Sequence, residues 1–141
     1  SPAGSILSRV HSGTANFATF LTVPVALDFH DAVGPAFKAA RIRYLRDRWV
    51  KTVRGTTGID VLTPDAAGLV AGITSFRIQG RTGRAENQAV TAELFDKHQL
   101  FTVWRNGLAR GDCVRVTPAL YNTPADADRL AGALRSIAVR G

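Results

Sequence analysis

The sequence predicts an α+β fold, in which helices pack on one face of a small, mostly antiparallel sheet. From residue 31 onward, hydrophobic spacing indicates a helix, two strands, a helix, two strands and a final helix. Turn residues separate the two strands of each pair, which favours antiparallel neighbours. Hydrophobic residues make up 45% and charged residues 21% of the 141 positions, so the chain can bury an ordinary core.

The first predicted helix follows an extended arm over residues 1–13. Thr14 can cap this helix, and apolar residues then recur at helical spacing to residue 30. Pro24 lies inside the pattern, so a kink or a break is predicted there. The segment carries few charges, which predicts that most of its circumference is buried and indicates a burying partner outside the chain.

A second helix is predicted from Gly34 to Arg54, before a stop at Gly55. Its apolar stripe comprises Phe37, Ile42, Leu45, Trp49 and Val53. Much of the remaining surface is basic, with Lys38, Arg41, Arg43, Arg46 and Arg48. This helix and the net charge of +7 leave two interpretations, a nucleic-acid-binding surface or a solvated face whose arginine stems cover the core. We favour the solvated face on a basic part of a larger protein, because the arginines do not form one run.

From residue 58 onward, the spacing of apolar residues includes the alternation that is typical of strands. The predicted elements are strands over 58–63 and 68–80, a helix from Glu86 to His98, and strands over 100–105 and 113–117. Pro64-Asp65 and Asn106-Gly107 supply turns between the paired strands. The inward residues predicted for the helix are Val90, Leu94 and Phe95.

The last helix has a well-defined predicted start. Thr123 is its cap, Pro124 takes the first helical position, and Asp126 lies three residues after the cap. Its predicted buried stripe consists of Leu130, Leu134 and Ile137.

The pattern contains no self-contained catalytic or metal-binding set. The single cysteine, Cys113, excludes an internal disulfide, and its strand position favours an inert structural role. The three histidines lack metal-ligand spacing. GRTGR (80–84) is glycine-rich but lacks the Lys-Ser/Thr of a phosphate loop. No apolar run approaches the ~20 residues of a membrane span, so no membrane association is predicted.

Arg115 is the one candidate binding residue that the pattern singles out. Strand alternation puts it on the face of Cys113 and Thr117, away from Val114 and Val116, which belong to the core. A guanidinium held on a rigid strand suits bidentate binding of a carboxylate. From the pattern alone, however, an ordinary solvated arginine is the favoured interpretation.

The segment CVRVTPALYNTPADADRLAGAL (113–134) resembles the end of the class V aminotransferases, a fold-type-I family that depends on pyridoxal 5'-phosphate (PLP). The positions that carry the likeness are Arg115, Tyr121, Asn122, Thr123 and Asp128. Within the family, the isopenicillin N epimerase-like branch is the most similar. The resemblance implies the small C-terminal domain of an enzyme that acts on an amino acid. It also implies that Arg115 binds the substrate carboxylate.

A second likeness lies near the start of the chain. HSGTANFATFLTVPVALDF (11–29) resembles the family's Gly-Thr segment, which implies that Gly13 and Thr14 contact the PLP phosphate. A helix N-terminus suits a phosphate on physical grounds as well. RIRYLRDRWV (41–50) resembles the family's domain-bridging helix. The resemblance thus implies an arm and interdomain helix over residues 1–30 and the small domain over residues 31–141.

The departures from the family pattern are informative. The family's Schiff-base lysine should lie upstream, and Lys38, Lys51 and Lys97 lack its context of small residues and a His. The resemblance therefore implies part of a larger enzyme, homodimeric and cytoplasmic, which is inactive without its other domain. A parent of the cysteine desulfurase or selenocysteine lyase type is disfavoured, because Cys113 does not follow Arg105-Asn106-Gly107 at the family's spacing.

Other interpretations stay open from the sequence. The parent reaction could be epimerisation, transamination or elimination. Outside that family, the chain could be a stand-alone basic binding module with a nucleic-acid partner, or an inactive paralogue that serves as a structural subunit.

Overall fold

The computed structural model describes residues 4, 6, 13 and 16–140. The chain divides into two units, Ser1–Pro35 and Ala36–Gly141. The described helices are α1 (Phe17–Val33), α2 (Pro35–Val53), α3 (Arg84–His98) and α4 (Pro124–Val139). The strands are β1 (Ile59–Val61), β2 (Thr74–Ile78), β3 (Val103–Arg105) and β4 (Cys113–Val116).

The four strands form one antiparallel sheet in the order β1-β2-β4-β3. Phe76 on β2 lies opposite Val61 on β1 and Val114 on β4, so these three side chains share one face. That face packs against the helices in a core whose helical members include Trp49, Leu94 and Leu134. The predicted α+β architecture is therefore confirmed.

Helix α1 belongs to the first unit and differs from its prediction in two ways. It begins after Asn16, whose Oδ1 accepts a hydrogen bond of 3.3 Å from the Thr19 amide, whereas the predicted cap, Thr14, lies outside the described residues. The helix continues through Pro24 without a break, although proline cannot donate the backbone hydrogen bond at that position. None of its residues is buried within the described chain, so the burying partner outside the chain stays a prediction.

Helix α2 confirms the second predicted helix and corrects two of its side chains. Leu45, Trp49 and Val53 are buried as predicted, whereas Phe37 is 65% exposed. Arg46, predicted to lie on a solvated face, is 3% exposed. It can be buried because Thr74, Asp47 and Asp65 accept hydrogen bonds from its guanidinium.

The strands are shorter than predicted. Strand β2 begins at Thr74 rather than residue 68, and β3 begins at Val103 rather than residue 100. Before β2, the chain passes so close to α2 that a Cβ at Gly72 would lie 1.9 Å from Ile42 Cγ2. Gly72 therefore lies against α2, two residues before β2 begins, while Leu69 and Ile73 are exposed.

Helices α3 and α4 match their predicted positions closely. Helix α3 begins at Arg84, two residues earlier than predicted, and Phe95 is 52% exposed instead of inward. In α4, Thr123 Oγ1 accepts from the Asp126 amide and the Asp126 carboxylate accepts from the Thr123 amide, so the predicted cap is confirmed. Among the described helices, none combines the length and hydropathy that crossing a membrane requires.

Candidate functional site

The sheet presents a second face, on the side away from the helices, which we call the arginine face. Its central members, identified by the strand register, are Ser75, Arg77, Val103, Arg105, Cys113 and Arg115. The core residues of β2 and β4 point to the opposite side and hold the two strands rigidly. Long polar side chains on this face therefore start from a fixed backbone.

Arg115 lies at the centre of the arginine face. Its neighbours across the strands are Ser75 on β2 and Val103 on β3. The side chain is half-buried, and its Nε is buried without a hydrogen-bond partner among the described residues. No ion pair of Arg115 occurs within that part of the chain either. A guanidinium in this state has unused capacity to bind an anion.

Arg77 shares the face but has a different role. Its Nε donates to the Asp112 carbonyl at 2.7 Å, and its Nη2 donates to the Gly111 carbonyl at 2.6 Å. The loop before β4 is thereby held against the sheet. Arg77 is 6% exposed and works as a structural clamp, so it is not a second free binding arginine.

Arg105 is a functional candidate that the sequence interpretation did not assign. It lies opposite Cys113, and therefore diagonal to Arg115 on the same face. The side chain is exposed, and its Nη1 donates to the neighbouring Trp104 carbonyl at 3.1 Å. Alternation in the hairpin around Asn106-Gly107 was the signal that could have paired Arg105 with Arg115.

Cys113 is free and 2% exposed on this face. Its burial agrees with the inert role that was predicted for it. No group of three or more His, Cys, Asp or Glu side chains suited to a metal ion occurs among the described residues.

The two predicted phosphate-binding residues belong to the first unit, whereas Arg115 belongs to the second. Gly13 has a φ of +110°, and, its two chain neighbours aside, no atom of the described residues lies within 4 Å of the position that a Cβ would take. Thr14 lies outside the described residues. The roles proposed for Gly13, Thr14 and Arg115 stay predictions.

The basic helix α2 uses several arginines for contacts within the chain. Arg48 makes a bidentate ion pair with Asp128, at 2.6 and 2.7 Å, and this contact lowers the pKa of Asp128. Arg41 donates to the Asn122 carbonyl at 2.8 Å. These contacts tie α2 to α4 and to the turn before it, which favours a structural role over a nucleic-acid-binding surface.

Comparison with known proteins identifies where such a domain occurs. Isopenicillin N epimerase from Streptomyces clavuligerus is 28% identical over 125 residues, and the protein of that name from Amycolatopsis lactamdurans is 30% identical over 125 residues. Each alignment covers 89% of this chain and 30% of the relative. The chain matches one part of the isopenicillin N epimerases. The predicted resemblance is confirmed to that extent.

Two solved structures share the fold of this chain over about a third of their own length. A cysteine desulfurase from Thermococcus onnurineus NA1 has a TM-score of 0.76 at 17% identity, over 94% of this chain and 34% of that one. An alanine–glyoxylate aminotransferase from Nostoc sp. has a TM-score of 0.60 at 20% identity, over 92% and 33%. At these identities the likeness shows the fold, which is that of a part of fold-type-I PLP enzymes. No protein-family model matches the chain.

Proposed function

We propose that this chain is the C-terminal domain of a PLP-dependent enzyme, in which Arg115 binds the carboxylate of an amino acid substrate. The observation that carries the proposal is the buried, unpaired Nε of Arg115. An unpaired donor inside a protein costs free energy, so such groups usually have a partner in the functional state. The similarity to isopenicillin N epimerases supports an amino acid or a related acid as that partner.

The geometry suits a carboxylate in particular. The two terminal nitrogens of a guanidinium form a planar pair of donors that matches the two oxygens of a carboxylate. The rigid strand below Arg115 fixes this pair, because Val114 and Val116 are buried in the core on either side. Arg105, diagonal to Arg115, adds positive charge to the same face.

Gly13 and Thr14 are the residues that we propose for the PLP phosphate. The positive φ of Gly13 supports the proposal, because glycine adopts this conformation without strain and, having no side chain, lets a phosphate oxygen approach its backbone. When bound, PLP supplies an electron sink for bond changes at the substrate α-carbon. The task proposed for Arg115 is to orient the substrate for those changes.

The rest of the enzyme is also part of the proposal. The chain spans 30% of the length of the curated relatives that it matches, so the Schiff-base lysine is expected in a further domain. Residues 1–30 would then connect the two domains, and the complete enzyme would be a cytoplasmic homodimer. This chain alone is expected to be inactive, because PLP catalysis requires the lysine. Reading the frame upstream of Ser1 tests this directly: no lysine after a run of small residues and a His would contradict it.

Arg115 is tested in the complete enzyme by comparing each amino acid substrate with its carboxamide. Arg115→Ala is expected to lower kcat/KM for the acid about 100-fold, mainly through KM, because two charge-assisted hydrogen bonds are lost. Arg115→Lys should recover part of the loss, since a single ammonium group keeps the charge without the planar donor pair.

The carboxamide makes the test specific to the proposed contact. The wild-type enzyme should prefer the acid strongly, and Arg115→Ala should remove most of that preference. Arg43→Ala, which removes an exposed arginine of α2, is the control and should leave the preference unchanged. A wild-type preference retained in Arg115→Ala would exclude the carboxylate role.

A further inference from the structure

Two members of the arginine face, Arg105 and Arg115, lie diagonally on neighbouring strands. Arg105 on β3 is opposite Cys113 on β4, and Arg115 follows two residues later on β4. Diagonal neighbours of this kind have Cα atoms about 7–8 Å apart. Both side chains therefore start close together on the same surface of the sheet, within the span of one small ligand.

Both guanidinium groups have donors that are available to a ligand. The terminal nitrogens of Arg115 make no hydrogen bond within the described residues, and, unlike its Nε, they are not buried, so a ligand can reach them. Arg105 is exposed, and its Nη1 donates to the Trp104 carbonyl, which leaves its other nitrogens without a partner in that part of the chain. Neither arginine has an ion pair within the described residues.

The positive charge of this face is not balanced by the face itself. Its central members include three arginines and no acid. Arg77 donates to two backbone carbonyls, which are neutral. Asp60 lies on β1, at the opposite edge of the sheet from Arg105, and accepts a hydrogen bond from Gln79 at 2.9 Å. Like charges on one face repel, so a ligand with two negative groups across Arg105 and Arg115 offsets the repulsion.

The arrangement restricts the ligand to a molecule with two separate acidic groups. A single carboxylate at Arg115 leaves the charge of Arg105 unbalanced, and each guanidinium can bind one carboxylate through a planar pair of donors. The other two positions of this diagonal are Val103, opposite Arg115, and Cys113, opposite Arg105. Neither is charged, and the two strands are adjacent, so the part of the ligand between its acidic groups is short and aliphatic.

We propose that Arg105 is a specificity-determining residue, which binds a second carboxylate of the substrate whose first carboxylate is bound by Arg115. The substrate class is then a dicarboxylic amino acid, or a larger acid in which a short aliphatic segment separates two carboxylates. Arg115 holds one carboxylate towards the centre of the sheet, and Arg105 holds the other at the edge formed by β3. This inference rests on the carboxylate role proposed for Arg115.

The test measures binding of diacids to the 141-residue chain, whose second unit has its own hydrophobic core, by nitrogen-15 NMR at constant ionic strength. Succinate, glutarate and adipate are the probes. Each is compared with its monoamide, which has nearly the same shape and one carboxylate fewer. At least one diacid is expected to bind about three- to fivefold more tightly than its monoamide, beyond the statistical factor of about two, as for one further exposed ion pair.

Variants of Arg105 link this preference to the proposed contact. Arg105→Ala should reduce the preference to the statistical factor and should bind the monoamides nearly as the wild type does. Arg105→Lys should keep part of the preference, because an ammonium group retains the charge without the planar donors. Arg43→Ala is the matched control, since it removes one exposed positive charge from α2 and should leave the preference unchanged. A preference retained in Arg105→Ala, or lost equally in Arg43→Ala, would overturn the inference.

Arg115→Ala separates this outcome from a failure of the proposed function. It should weaken the binding of monoamides and diacids alike. Monoamides that bind Arg115→Ala as tightly as the wild type would contradict the carboxylate role of Arg115, and with it this inference. The absence of saturable binding of every probe to the wild-type chain has the same consequence. Weakened monoamide binding in Arg115→Ala, together with an unchanged preference in Arg105→Ala, would contradict the role of Arg105 alone.

Discussion

Two arginines of the second unit, Arg46 and Arg115, differ in whether their guanidinium groups have hydrogen-bond partners among the described residues. The guanidinium of Arg46 donates to Thr74 Oγ1 at 3.0 Å, to Asp47 at 2.8 Å and to Asp65 at 2.6 Å. Arg115 has a buried Nε without a partner among the described residues. Both side chains start from regular elements that pack on the same core, so the difference lies in what surrounds each guanidinium.

The comparison separates structural arginines from binding arginines. Arg46 uses its donors within the chain, and its charge is balanced by two carboxylates, so it stabilises the junction of α2 and β2. Arg115 leaves a donor unused at a cost to the folded state, which a ligand can offset. Burial of the side chain does not distinguish the two roles. They are distinguished by whether the guanidinium donors have hydrogen-bond partners within the described residues.

The largest expected effect is on stability. Arg46→Ala should lower the free energy of unfolding by about 2–3 kcal/mol, because it leaves the buried Thr74 hydroxyl unpaired and removes the buried cation that is paired with both Asp47 and Asp65. The loss stays below that of a fully buried pair because both aspartates are partly exposed. Arg115→Ala should change the same quantity by less than about 0.5 kcal/mol. Urea unfolding of both variants measures the two losses of unfolding free energy. Equal losses would contradict the distinction between a structural Arg46 and a binding Arg115.

A smaller effect is expected for two threonines. Thr74→Val removes the hydroxyl that accepts from Arg46 and should cost about 1–2 kcal/mol, because a buried charged donor loses its partner. Thr102→Val removes a hydroxyl that has no partner among the described residues, so its expected cost is about zero. Urea denaturation of the two variants, measured in parallel, gives the difference between their free energies of unfolding. If Thr102→Val were the more costly change, the Thr102 hydroxyl would have a partner that stabilises the fold.

The smallest expected effect is on how the stability of the fold depends on pH. The hydrogen bond from Arg46 lowers the pKa of Asp65, with further contributions from the charges of Arg46, Arg54 and Lys51 and an opposing one from desolvation. A carboxyl whose pKa is lower in the folded state stabilises the fold above its unfolded pKa, about 3.9. That contribution is lost as pH falls from this value through the folded pKa. Asp65→Asn should therefore flatten the decline in stability below about pH 4.

Asp96→Asn is the matched control for the pH prediction, because the Asp96 carboxylate has no ion pair within the described residues. Its urea midpoint should follow the wild-type pH curve. An unchanged curve for Asp65→Asn would show that the Arg46 junction contributes no measurable acid sensitivity.

The candidate site was partly predictable. Alternation along residues 113–117 placed Arg115 away from the core, and the register confirms that its neighbours Val114 and Val116 are buried. That Arg105 shares the face of Arg115 depends on the register in which β3 and β4 pair. That the Arg115 Nε is unpaired depends on side chains contributed by the surrounding strands and loops. Neither follows from the pattern of a single strand.

The sequence by itself determined the order of elements, the α+β class and the start of α4, since hydrophobic period and capping act over a few neighbouring residues. Tertiary structure decided that Arg46 is buried and that residues 68–73 leave the sheet. The partners of Arg46 include Thr74, which lies 28 positions further along the chain. Gly72 lies against Ile42 of α2, 30 positions before it in the sequence. Such outcomes depend on contacts between residues that are far apart in the sequence, and the spacing of residues within one element does not predict those contacts.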